Sequence, residues 1–228
     1  MESLSRHTDY GTEGLNEADI NENPLEQFAA WLHQAEQAEI FEPNAMVIST
    51  VDPDGRPTSR TVLLKGLDNV GFEFVTNYAS TKGKALLANP AVALLFPWYA
   101  LKRQVMISGT AVPTDGSTSD AYFARRPQGA KLAAWASEQS QPIARRDILD
   151  ERIAALELEY PEGIDVPRPE KWGGFRVIPT SIEFWQGRSN RFHDRLRFTV
   201  VGSAESATKT AINATTSERS WKLERLQP

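Results

Sequence analysis

The sequence predicts an α+β fold built on a mostly antiparallel sheet or barrel with peripheral helices. Two observations lead there. Segments of strand type follow one another in hairpin order, and helical segments fall between groups of strands and not after each one. No Gly-x-Gly-x-x-Gly follows a strand and no P-loop occurs, so the usual signatures of parallel nucleotide-binding folds are absent.

The first 22 residues are polar and without period, and read as an arm that is mobile unless it docks. Residues 23–228 then read as one domain, since 228 residues with 40% hydrophobic and 24% charged content can bury a sizeable core. Asn23-Pro24-Leu25-Glu26 looks like a helix start, with Asn as N-cap and Pro at the first helical position. Leu25, Phe28, Ala29, Leu32 and Ala35 follow at helical spacing. Ala45–Val51 and residues 58–65 are strands joined by the turn Asp52-Pro53-Asp54-Gly55. Residues 71–76 are a third strand, and 80–88 a short helix ended by Asn89-Pro90. Residues 91–96 and 104–112 are two further strands.

Helices are expected over 117–125, 130–138 and from Pro142 to about Glu159, the last with one broad apolar face made by Ile143, Ile148, Leu149, Ile153 and Leu156. Late strands are expected over 174–178, 181–185 and 196–201. Residues 203–220 hold four Ser, four Thr and four Ala and read as a loose loop. Trp221–Leu226 closes the chain as a strand.

Composition excludes several classes. There is no cysteine, hence no disulfide, iron–sulfur cluster or thiolate nucleophile. The three histidines, His7, His33 and His193, are far apart, so no local metal motif is expected. The net charge of −5 argues against non-specific nucleic-acid binding. The longest apolar run, 91–101, is too short to span a membrane and contains Pro97. The start of the chain lacks the basic and apolar regions of a secretory signal, and the missing cysteines suit a reducing compartment, so a cytoplasmic location is expected. Charge is unevenly spread: residues 1–42 carry ten acidic side chains and one basic one, so the remaining body has a net charge of +4. Such a body can bind small anions such as phosphate esters, although solubilisation of the arm would explain the same asymmetry.

Several segments can carry chemistry. Arg60-Thr61-Val62-Leu63-Leu64-Lys65 has a cation at each end of a strand, which also suits a solvated strand end. Thr81-Lys82 opens a helix, a position that favours phosphate but is equally an ordinary capped start. Gln104 at a strand start and Gln139-Ser140 between helices can read the edge of a heterocycle. Tyr122 one turn from Arg125-Arg126 is a phosphate grip or a helix-end decoration. The densest cluster runs from Glu183 through Trp185, Arg188, Arg191, Phe192 and His193 to Arg195.

In this order the segments resemble the pyridoxine/pyridoxamine 5′-phosphate oxidase family. The carriers are Asn44-Ala45-Met46-Val47, Arg60 to Lys65, Leu95-Phe96-Pro97-Trp98, Arg103-Gln104-Val105-Met106, Trp172-Gly173-Gly174-Phe175-Arg176, Glu183-Phe184-Trp185-Gln186-Gly187, Arg191-Phe192-His193-Asp194-Arg195 and Glu224-Arg225-Leu226-Gln227-Pro228. They span nearly the whole chain, from about Tyr10 to Pro228. The resemblance implies a split β-barrel homodimer with FMN at the subunit interface. It implies oxidation of pyridoxamine or pyridoxine 5′-phosphate to pyridoxal 5′-phosphate, with O2 giving H2O2 and the amine also giving ammonia.

Carried over by position, FMN contacts fall on Arg60, Thr61, Val62, Leu63, Leu64, Lys65, Val75, Thr76, Thr81, Lys82, Gln104, Gln139, Ser140, Trp185 and Arg195. Substrate contacts fall on Lys65, Tyr122, Arg126, Ala130, Arg191, Phe192 and His193, with the segment His7 to Tyr10 able to cover the substrate. Arg191 and His193 are the expected catalytic pair, on one side of the chain if it alternates there, and Arg195 is expected to place positive charge near the flavin. No metal is implied. Three positions depart from the family's commonest pattern: Val75 stands for a tyrosine, Thr81 for an arginine and Ala130 for a serine. They leave open a flavoprotein of this fold with another substrate, or a non-catalytic carrier of flavin or pyridoxal phosphate.

Overall fold

Helix α1 (Pro24–Gln37) opens with the expected cap: the Asn23 side chain accepts from the Leu25 amide and Pro24 occupies the first turn. Its apolar face is driven into the concave side of a curled antiparallel sheet. The Phe28 ring lies 4.9 Å from Phe72 and 4.7 Å from Phe96, and it is fully buried. Phe28→Ala should therefore destabilise the fold by about 3–5 kcal/mol, read as a lower urea midpoint at unchanged slope.

A computed structural model describes residues 4–5, 8–202 and 219–228. After α1 come β1 (Ala45–Val51), β2 (Pro57–Leu63), β3 (Gly66–Leu67), β4 (Phe72–Asn77), α2 (Thr81–Ala88), β5 (Ala91–Trp98) and β6 (Arg103–Pro113). Helices α3 (Gly116–Ala124), α4 (Gln128–Ala136) and α5 (Asp147–Glu159) precede β7 (Trp172–Gln186), β8 (Asp194–Val200) and β9 (Trp221–Leu226). The strand order is β2-β1-β5-β6-β7-β4-β3, with β8 added to β7 and β9 to β8, every pairing antiparallel. The long β7 is the branch point. Its first part pairs with β4 and its second with β8, so the sheet splits there as a split barrel does.

Alternation decides the faces. Met46, Ile48, Leu94, Phe96, Val105 and Ile107 are fully buried on the inner side. Val47, Leu95 and Met106 lie in register across the outer side, and Met106 is exposed.

The structure corrects three expectations. The strands expected at 174–178 and 181–185 are one strand, because Pro179-Thr180 forms a bulge opposite Ser108 and Gly109 where a turn had been read. Gly109 is required there: a Cβ would sit 2.3 Å from the Ile178 carbonyl oxygen. Helix α5 begins at Asp147 and not at Pro142, and none of its residues is buried, so the broad apolar face of that segment is not a core face of this chain. The third concerns the arm. From Thr8 onward it is docked, and Leu15 and Ile20 join the core. His7 and residues 203–218 of the expected loop lie outside the described residues.

Candidate active site

The end of β2, strand β4 and the start of α2 enclose a cleft of about 600 Å³ lined by Arg60, Thr61, Val62, Leu63, Lys65, Val75, Thr76, Thr81, Lys82, Gln139 and Ser140. Ser80 caps α2 by accepting from the Gly83 amide, which leaves Lys82 in the first turn with its side chain turned into the cleft floor. The Lys82 ammonium is buried and donates to Thr76 Oγ1 and Gln139 Oε1, both at 3.0 Å. Burial, with the charge of Arg60 as a lesser cause, lowers its pKa to about 8. Arg60 donates to Thr50 and Thr58 hydroxyls and to the Ile48 carbonyl, and burial lowers its pKa as well.

A second cleft of about 560 Å³ adjoins the first and shares Leu63, Lys65, Val75, Thr76 and Gln139 with it. Tyr122, Arg126 and Ala130 form its far wall. Arg126 lies 4.7 Å over the Trp172 ring and donates to the Ala130 carbonyl at 2.9 Å. The alanine at 130 therefore keeps a backbone part in the site, although it has no hydroxyl to offer.

The third cleft, about 620 Å³, lies elsewhere on the chain and is lined by Thr8, Asp9, Tyr10, Arg188, Asn190, Arg191 and His193. Arg191 and His193 do face one cavity, but not by strand alternation. They leave a 3-10 turn, Ser189–Arg191, in which Asn190 and Arg191 have φ of 57° and 63°. His193 Nδ1 accepts from the Arg188 amide at 3.1 Å, so the neutral ring carries its proton on Nε2. Partial burial and the charge of Arg191 lower its pKa below the ordinary histidine value. Its ring lies 4.7 Å from Trp185 and 5.6 Å from Tyr10. Trp185 is opposite Gln104 on β6 and Arg195 on β8, so these three form a row across the sheet beside this cleft.

Five expected contacts line none of the three clefts: Gln104, Trp185 and Arg195 stand in the row beside the third, and Leu64 and Phe192 stand apart. Leu64 is buried in the core, with its backbone amide on the Asn44 carbonyl. Phe192 is 73% exposed and does not line the cleft. Trp172, which forms the bed of Arg126, was visible in the sequence only as part of a motif. Glu183, which has a place in the sequence cluster but no expected role, is buried and grips Arg195 with both oxygens, at 2.9 and 3.1 Å.

Several arginines are held in ion pairs. Arg103, Arg168, Arg176, Arg188, Arg195, Arg197 and Arg225 each have a carboxylate partner. Among the described residues, Arg60, Lys65, Lys82, Arg126 and Arg191 have none. Of these, Arg60, Lys82 and Arg126 are at least partly buried and line two adjoining clefts of the split barrel, an arrangement able to hold anions.

Comparison with known proteins agrees. A family model described as pyridoxamine 5′-phosphate oxidase matches residues 32–159, and one described as the pyridoxine 5′-phosphate oxidase C-terminal dimerisation region matches residues 172–228. A pyridoxine/pyridoxamine 5′-phosphate oxidase of Thermobifida fusca is 50% identical over 206 residues, 90% of this chain and 88% of the relative. That of Rubrobacter xylanophilus is 49% identical over 220 residues, covering 96% and 94%. The crystal structure of PhzG from Burkholderia lata 383, in complex with tetrahydrophenazine-1-carboxylic acid, has 30% identity and a TM-score of 0.82, covering 96% of this chain and all of that one. The chain belongs to the pyridoxamine 5′-phosphate oxidase family. Among the described residues no helix is long and apolar enough to cross a membrane.

Proposed function

We propose that this chain is an FMN-dependent oxidase of pyridoxamine 5′-phosphate or pyridoxine 5′-phosphate that forms pyridoxal 5′-phosphate. The observation that carries the reading is the pair of adjoining clefts lined by cations without carboxylate partners, Arg60 and Lys82 in the first, Arg126 in the second and Lys65 in both. One phosphate ester in each cleft satisfies them. The names of the relatives support the choice of substrates.

FMN fits the first cleft on its donor set: a buried ammonium with only neutral acceptors, a guanidinium beside it, and Gln139 and Ser140 at the rim. When bound, the flavin would supply a two-electron acceptor, with O2 taking the electrons from it and being reduced to H2O2. The protein's own tasks are binding and orientation. Lys65, Tyr122 and Arg126 hold the substrate phosphate and so fix the pose of the ring. Arg191 orients the reacting carbon. His193, with its proton on Nε2, donates a hydrogen bond and is not poised as a base. Glu183 offsets the charge of Arg195, so Arg195 contributes a fixed donor more than a net positive field. Oxidation of the alcohol consumes O2 and yields H2O2; oxidation of the amine also consumes water and releases ammonia.

The site is assembled from two subunits in this reading. Within one chain the clefts of Lys82 and of Arg191 share no lining residue. The outer row of Val47, Leu95 and Met106 is the kind of apolar sheet face a second copy covers, and the matched dimerisation region carries Arg191 and His193. Sedimentation should give about 50 kDa, twice the 25.4 kDa chain, with one FMN per chain; a monomer that holds FMN stoichiometrically would contradict the shared site. Thr81, exposed at the mouth of the first cleft, should accept an arginine without strain, and Thr81→Arg should tighten FMN by about 1–2 kcal/mol in fluorescence titration. The function itself is tested by adding FMN and pyridoxamine 5′-phosphate in air: pyridoxal phosphate and peroxide should appear in equal amounts. A flavin-loaded protein that forms neither is a carrier and not an oxidase.

A further inference from the structure

The turn that carries Arg191 has a backbone that non-glycine residues rarely adopt, left-handed at both Asn190 and Arg191. Such strain persists only where the surroundings hold it. Here the holder is the N-terminal segment. The Ser189 amide donates to the Gly11 carbonyl at 2.8 Å. The Ser189 hydroxyl lies 2.7 Å from Asp9 Oδ1 and 2.9 Å from that same carbonyl oxygen. Asp9 Oδ1 also accepts from the Gly11 amide at 2.9 Å, closing a tight turn in which Gly11 has φ of 79°. Between them Tyr10 packs edge-on against Trp185 and His193. Gly187 makes room for that ring, since a Cβ there would meet Tyr10 at 2.9 Å. Further along, the Leu15 amide donates to Asp194 at 3.0 Å and Arg225 holds Glu17, so the segment enters the latch from a fixed direction.

We propose that Asp9 and Ser189 are positioning residues for the substrate step: they latch the N-terminal segment onto the 189–191 turn and thereby hold Arg191 facing the cleft. The arm is in this view a working part of the site and not only a cover over it. The proposal rests on the reading of Arg191 as a substrate-facing group.

The test uses the FMN-loaded protein with pyridoxamine 5′-phosphate, and the variants Asp9→Ala and Ser189→Ala beside Asp9→Asn and Ser189→Thr. Asn keeps the acceptor oxygen and Thr keeps the hydroxyl. The alanine variants should lower kcat/KM roughly tenfold with FMN affinity within about twofold of wild type, and the conservative variants should regain most of the loss. In an Arg191→Leu background the alanine substitutions should have no further effect, because both act through the same group. In the protein without substrate, the amides of Ser189 and Phe192 should exchange faster in Asp9→Ala than in wild type. Two results overturn the proposal: wild-type kcat/KM in Asp9→Ala, or the whole tenfold loss repeated on top of Arg191→Leu. If Arg191→Leu itself works at the wild-type rate, the underlying reading of the cleft fails, and the positioning role fails with it. A damaged Arg191→Leu beside an intact Asp9→Ala refutes the latch alone.

Discussion

Arg191→Leu should keep its flavin, with absorbance and affinity unchanged, and lose about 10²-fold or more in the anaerobic rate of flavin reduction by pyridoxamine 5′-phosphate. Arg191 lines a cleft that shares no lining residue with the Lys82 cleft of the same chain, so its removal does not touch the phosphate grip of FMN. It has no carboxylate partner among the described residues, so its charge is available to a ligand. A planar cation that orients the reacting carbon acts most in the transition state, and its loss appears in the rate more than in binding. His193→Asn should do less, because the Arg188 amide occupies Nδ1 and leaves Nε2 as a donor. Stopped-flow bleaching of the flavin checks both; wild-type reduction by Arg191→Leu would remove this cluster from the substrate.

The second large effect is on FMN. Lys82→Ala should weaken it by about 1–3 kcal/mol, roughly five- to 150-fold in Kd. The pH dependence gives an independent check. With its pKa lowered to about 8, the Lys82 amine is protonated below that pH and increasingly neutral above it. Binding a phosphate favours the protonated form, so above about pH 8 FMN must bind together with a proton. Kd should then rise with pH, by up to about tenfold per unit, and the rise should vanish in Lys82→Ala. The folding equilibrium has the opposite sign. Burial of the charged amine opposes folding below about pH 8, and this is relieved as pH rises from there toward the ordinary lysine value of 10.5. Isothermal titration at several pH values reads the first effect, and urea unfolding without FMN the second.

Much of the fold was legible because its signals are local. Asp52-Pro53-Asp54-Gly55 and Asn89-Pro90 punctuate the chain, β1 is apolar and β-branched, and Phe72, Phe74 and Thr76 alternate along β4. What escaped has a physical reason in each case. Strand β3 is two residues long and has no period to show. Pro179 ends most strands, and only the partner strand with its glycine turns it into a bulge. Pro142 looks like a helix start, but the helix begins at Asp147, and even there its N-cap residue, Arg146, makes no side-chain cap. The site was legible as a set of residue types and motif positions, and not as an electrostatic arrangement. Arg188, Arg191 and Arg195 look alike in sequence; only the fold shows that Asp194 and Glu183 neutralise two of them and leave the third. The depressed pKa of Lys82 likewise comes from its burial and from the charge of Arg60, 22 positions away, which only the fold brings together.

The central claim is that the unpaired cations of this fold bring FMN and a vitamin B6 phosphate together for oxidation. Anaerobic mixing of the FMN-loaded protein with one equivalent of pyridoxamine 5′-phosphate tests it most directly. The account predicts bleaching of the flavin with formation of one pyridoxal phosphate per flavin, and peroxide only when air is readmitted. A flavin that stays oxidised while the ester binds would contradict it.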